Sequence, residues 1–141
     1  MSALSNDLRA LLDANPVGVL ATLAPDGKPR QSLVYFALDG ERLLISTLGD
    51  RLKARDVRRS GWASLCVMGH EPPFPSATFS GNAEILTEAI GLPTARIMQR
   101  IARATELPEP MSDEALAEAG RVVLAIDVDR VSGASHIPPA S

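Results

Sequence analysis

Leucines at positions 4, 8, 11 and 12 recur on one helical face, and Asn15-Pro16 ends the pattern, which predicts a short amphipathic helix. The period then shortens to two. Over residues 17–23, Val17, Val19, Ala21 and Leu23 share one face of a strand, and Pro25-Asp26-Gly27 signals a turn. Residues 30–38 return as a second strand, with Gln31, Leu33 and Tyr35 set against Ser32, Val34 and Phe36. Asp39-Gly40 makes another turn, and residues 42–47 form a third strand. Strands joined this tightly predict an antiparallel meander.

Residues 50–59 break the rhythm and predict a short helix with Asp50 as its N-cap. A fourth strand follows at 62–68, then a loop at 69–75 too rich in proline to pair in a sheet. The fifth strand, 78–86, contains Gly81 as a bulge or a point of close approach. Residues 93–105 predict a helix whose apolar stripe is Ile97, Met98, Ile101 and Ala104, 114–119 a shorter one, and 122–131 the sixth strand. No repeat, low-complexity tract or linker interrupts the chain, so residues 1–141 are expected to form a single domain. The expected class is mainly β: a six-stranded antiparallel barrel with peripheral helices, which leaves no exposed sheet edge.

Hydrophobic residues are 45% of the 141 and charged residues 22%, the proportions of a globular chain. No apolar run approaches the roughly 20 residues of a membrane span, and the N-terminus lacks the pattern of a signal peptide. Cys66 is the single cysteine, which excludes an internal disulfide and fits a cytoplasmic setting; its apolar surroundings predict an inert core thiol. His70 and His136 have no acids or cysteines at ligand spacing, so no metal site is expected. There is no Gly-x-Ser-x-Gly elbow and no glycine-rich phosphate loop. The net charge of −3 argues against nucleic acid as a partner.

The charge is unevenly placed. Arg51, Lys53, Arg55, Arg58 and Arg59 face one acid, Asp56, a local charge of +4 that leaves −7 for the rest of the chain. Cations at a helix N-terminus oppose the macrodipole unless an anion neutralises both. The alternative is a solvated basic face. The cluster follows a strand directly, and Ser46 and Thr47 stand ready to add hydroxyl donors, which favours a site for a phosphate or carboxylate. An anion clamp without an acid–base or nucleophilic set suits a cofactor that brings its own reactivity. No catalytic residue is assigned; Tyr35 is a candidate proton donor, set against a plain role as a core aromatic.

The segments Val17-Gly-Val-Leu-Ala-Thr-Leu-Ala-Pro-Asp-Gly-Lys-Pro29, Leu43-Leu-Ile-Ser-Thr47, Lys53-Ala-Arg-Asp-Val-Arg-Arg59 and Thr78-Phe-Ser-Gly-Asn-Ala-Glu84 together resemble the pyridoxamine-phosphate-oxidase-like split-barrel flavoproteins, in particular their flavin/deazaflavin oxidoreductase branch. The resemblance implies a six-stranded split β-barrel of the FMN-binding type and a homodimer with the cofactor between protomers. It implies that Lys53 and Arg55, helped by Arg51, hold the cofactor phosphate, while Gln31, Ser32, Val34, Ser46 and Thr47 line the ring and ribityl chain. The partner's 74–78 region would complete the wall. The implied activity is hydride transfer from coenzyme F420 to a small organic acceptor, with an FMN-dependent oxidoreductase or a non-catalytic flavin-binding protein as alternatives. Asp56 departs from the family, which commonly has Asn there; an acid is expected to pair with Arg55 or Arg59 and weaken phosphate binding, or simply to offset the excess of positive charge.

Overall fold

Side-chain alternation decides which residues fill the interior, and the computed structural model, which describes residues 3–140, shows how each strand resolves it. Helix α1 (Asn6–Ala14) opens on Ser5, whose Oγ accepts from the Leu8 amide at 3.3 Å, and buries Leu11 and Leu12. It stops at Asn15, which is buried and donates from Nδ2 to the Leu11 carbonyl at 2.9 Å. In β1 (Val17–Leu23), Gly18, Leu20 and Thr22 point inward, so the set Val17, Val19, Ala21 and Leu23 is the outer face. Strand β2 (Pro29–Tyr35) pairs antiparallel with β1 along its whole length.

The predicted second strand is in fact two. Its first part, β2, pairs with β1; its end, β3 (Ala37–Asp39), pairs with β4 (Arg42–Leu48). Phe36, fully buried, separates them. The sheet therefore has seven strands rather than six, in the order β2-β1-β5-β6-β7-β4-β3. Since β2 and β3 lie at opposite ends of that order yet adjoin in the chain, the antiparallel sheet curls round until Phe36 links its two ends, the split-barrel fold. The inward alternation of Ser32, Val34 and Phe36 runs through the change of partner unbroken, so no sequence pattern marks it.

Helix α2 (Leu52–Ser60) is N-capped by Arg51 rather than Asp50, and no side chain caps it. It ends at Gly61, whose left-handed φ of 68° lets its amide bond back to Val57. Strands β5 (Trp62–Met68) and β6 (Ser76–Leu86) follow, and the register of β6 against the last strand slips between Ser80 and Gly81, the expected bulge. Cys66 is exposed on the outer face of β5 instead of lying in the core, because the inward positions are Ala63, Leu65 and Val67. Helix α3 (Gly91–Ala102) is tethered at its start by the Asp113 carboxylate, which accepts from the Ala89 and Ile90 amides. It buries Thr94, Ala95 and Ile97; Met98, Ile101 and Ala104 are exposed, so the predicted stripe is corrected to one that starts earlier. After α4 (Asp113–Glu118), strand β7 (Arg121–Ser135) is apolar without alternation from Val122 to Ile126 because both its faces are covered. Leu124 and Ile126 join Phe36, Leu65 and Phe79 inside the curl, while Val123 and Ala125 pack with Ile90, Ile97 and Leu116 of the helical side. No helix among the described residues is long and apolar enough to cross a membrane.

Candidate functional site

The curl leaves a seam. Strand β4 is held by β3 only from Arg42 to Leu44, and β2 is bonded only to β1, so the later half of β4 and the facing edge of β2 diverge without a ladder between them. The cleft at this seam has a volume of about 480 Å³, within the usual range for small-molecule sites. From β2 it takes Arg30, Gln31 and Ser32, from β4 Ser46, Thr47 and Leu48, and from the start of α2 Arg51, Leu52 and Lys53. Thr22 of β1 and Arg121 of β7 complete it.

Of the eight residues expected at a cofactor, six meet here: Gln31, Ser32, Ser46, Thr47, Arg51 and Lys53. Val34 instead lies in the apolar core, since Arg30 to Tyr35 alternate and Val34 falls where the curl has closed over it. Arg55 is exposed on α2 and does not line the cleft, because two residues on from Lys53 the helix has turned it away. Tyr35 is 41% exposed on the outer face of β2. Thr22, Arg30, Leu48, Leu52 and Arg121 line the cleft without having been expected there. Arg121 arrives through the pairing of β7 with β4, which sets it opposite Leu48, a long-range register that no local motif encodes.

Four cations and no acid line the cleft. Among the described residues, Arg51, Lys53 and Arg121 have no ion pair and no side-chain hydrogen bond. Burial lowers the Lys53 pKa below that of an ordinary lysine, and the neighbouring Arg51 charge lowers it further. The uncapped first turn of α2 adds backbone amides at the same place. Thr22, Ser32, Ser46 and Thr47 bring hydroxyl groups to the lining, that of Thr22 already donating to Asp56.

Arg58 and Arg59 serve the fold instead. Arg58 donates to the Gly49 carbonyl at 2.6 Å, and Arg59 donates to the Leu23 carbonyl and to Asp56. Asp56, only 1% exposed, sits behind the cleft and gathers three groups. Thr22 Oγ1 donates to it at 3.0 Å, Arg30 Nε lies 3.0 Å away, and Arg59 Nη2 lies 3.2 Å away. The Arg30 contact is an ion pair without hydrogen-bond alignment. The acid thus pairs with Arg59, as expected, and with Arg30 in place of Arg55. No cluster of three His, Cys, Asp or Glu side chains suited to a metal occurs among the described residues.

Known proteins share this fold. The model of the pyridoxamine 5′-phosphate oxidase family matches residues 4–134. A conserved hypothetical protein from Mycobacterium tuberculosis superposes with a TM-score of 0.71 at 21% identity, over 99% of this chain and 94% of its own. A solved structure described as an F420 reductase gives 0.69 at 26% identity, over 88% of this chain and 94% of its own. A heme binding protein from Mycobacterium smegmatis gives 0.63 at 22% identity, over 93% of this chain and 54% of its own.

Proposed function

The chain belongs to the pyridoxamine 5′-phosphate oxidase family, and from that premise we propose that the seam cleft holds a phosphate-bearing flavin or deazaflavin, with coenzyme F420 as the leading candidate and FMN as the alternative. The observation that carries the proposal is the set of three unpaired cations, Arg51, Lys53 and Arg121, in a cleft lined by no acid. A sequence that leaves such charges unneutralised in a concave site fits a ligand that neutralises them. The F420 reductase likeness favours the deazaflavin, whose tail carries carboxylates besides a phosphate. A haem is the poorer fit: none of the lining residues is His, Cys, Met or Tyr, so the cleft itself offers none of the usual axial ligands to iron.

In this reading the reduced cofactor supplies a hydride to a small organic acceptor. The protein's part is placement. Arg51, Lys53 and Arg121 bind the anionic tail and fix its depth in the groove, while Ser32, Ser46, Thr47 and Gln31 orient the polar chain by hydrogen bonds. The uncapped α2 amides add fixed dipoles that need no reorganisation. Titration of the purified protein separates the alternatives. Quenching of F420 fluorescence at micromolar protein is expected, with FMN binding more weakly. Binding of FMN alone would move the assignment to a flavin enzyme, and silence to both would remove it.

The same reading includes a homodimer that closes the cleft. The outer face beside it is uncharged and, from Leu33 to Met68, largely apolar. Leu33, 74% exposed, stands opposite Val19, which in turn stands opposite the exposed Cys66; Tyr35 and Met68 flank them. Gln31 lies on this same face of β2 and also lines the cleft, so a second copy seated on Leu33 and Tyr35 would cover the open side. Leu33→Glu is therefore expected to shift sedimentation from dimer to monomer and to weaken cofactor binding. A monomeric wild-type protein, or an unchanged dimer in the variant, would refute this part.

A further inference from the structure

Arg30 is the cleft's one cation with an internal counter-charge, and the way it is held differs from the other three. Its Nε is buried against the Asp56 carboxylate at 3.0 Å, while no protein group engages its terminal Nη atoms among the described residues. Asp56 is itself fixed from two other directions: by the Thr22 hydroxyl on the neighbouring strand, whose Cα is the cross-strand partner of Arg30, and by Arg59, which is also bonded to the Leu23 carbonyl. Strands β1 and β2 and helix α2 thus converge on one buried acid, and the guanidinium it anchors faces a ligand cleft. A guanidinium whose Nε side is drawn to a fixed, buried carboxylate by charge is biased to present its Nη atoms on the other side as a fork.

We propose that Arg30 is an anion-contacting residue of this cleft and that Asp56 is its positioning residue, holding the guanidinium so that its Nη atoms meet a phosphate or carboxylate. The inference rests on the reading of the cleft as an anion site and adds a contact that the basic segment 51–59 does not contain. Asp56 then acts in the opposite sense to a plain negative charge beside the site, which would only repel the ligand.

Affinities of the intact protein for inorganic pyrophosphate and for F420, measured by calorimetry and fluorescence, test it. Arg30→Met is expected to weaken pyrophosphate binding about tenfold, the scale of one charge-assisted contact. Arg30→Lys should restore little, because a lysine cannot be held at one nitrogen and donate from two others. Asp56→Asn should weaken binding about threefold in the wild-type background and by less than twofold when Arg30 is already Met, the coupling expected of a residue that acts through another. Asp56→Asn retains an oxygen for Thr22, so a merely structural role would lower thermal stability without this dependence on Arg30. Tighter binding in Asp56→Asn, an equal change in both backgrounds, or an unaffected Arg30→Met would each overturn the proposal, as would absence of pyrophosphate binding by the wild-type protein. Pyrophosphate binding that responds to Arg30→Met while neither F420 nor FMN binds would sustain it and sink the cofactor assignment instead.

Discussion

Gly81→Ala is expected to cost at least about 4 kcal/mol of folding stability, in the rare tail of single-substitution effects. A Cβ at this position would lie 1.8 Å from the Asp127 carbonyl oxygen and 3.2 Å from the Asp129 amide nitrogen. Both are backbone atoms of β7, so no side chain can swing aside to make room. The contact arises from the bulge: register slips between Ser80 and Gly81, and the two strands close on each other where one residue of β6 has no side chain. Relief would require separating β6 from β7, the most extensive pairing in the sheet. Against a usual total stability of about 5–15 kcal/mol, the variant should melt lower by on the order of 10 °C or more, or fail to fold. Gly40→Ala is the comparison. Gly40 has a φ of 62° but nothing within 4 Å of its would-be Cβ, so only the strained backbone is charged, about 1 kcal/mol. Denaturant melts of the two variants check the ordering, and a Gly81→Ala protein within about 1 kcal/mol of wild type would show that the strands can part there cheaply.

That Gly81 marks a bulge is legible in the sequence, because a lone glycine in an alternating strand has few other uses. The end of α1 is legible because Asn15 acts on a neighbour four residues back, whereas the N-cap of α2 falls one residue later than Asp50 suggests, at Arg51. The exchange of partner at Phe36 is not legible, since the inward alternation continues through it and the event is defined by which distant strand lies alongside. The basic segment shows the same division. Five cations in nine residues stand out in the sequence, but their fates depend on how α2 is rotated against β1. Arg58 and Arg59 are spent on the Gly49 and Leu23 carbonyls, Arg55 is left to solvent, and only Arg51 and Lys53 enter the cleft. The site recovers its charge from outside the segment. Arg30 comes from β2 and Arg121 from β7, each placed by strand register, and a single isolated arginine in a strand carries no signal of that in the sequence. Asp56 reads as a misplaced acid until burial shows it to be the junction of three elements.

Lys53→Ala is expected to weaken cofactor binding about tenfold, and Arg51→Ala and Arg121→Ala comparably, since each removes one charge-assisted contact to the anionic tail. Each single variant should also flatten the dependence of binding on salt, because exposed charges at the cleft mouth are screened over roughly 10 Å at 0.1 M, and the three combined should abolish measurable binding. Arg55→Ala, outside the lining, should change affinity less than twofold by the same screening. The depressed Lys53 pKa adds a second readout. Burial and the Arg51 charge favour the neutral amine, so as pH rises Lys53 loses its proton before an ordinary lysine of pKa 10.5 would. Affinity should therefore start to fall on the alkaline side below the usual lysine range, and Lys53→Arg, charged throughout, should hold it level. For stability the sign reverses. A lysine whose folded pKa lies below its unfolded value opposes folding while it is charged, and that cost is relieved as pH climbs through the folded pKa toward the unfolded one. Lys53→Ala should then leave the protein no less stable at neutral pH while it loses its ligand, the mark of a side chain retained for binding. Binding by Arg55→Ala as weak as by Lys53→Ala, or an alkaline decline that persists in Lys53→Arg, would place the anion elsewhere on α2.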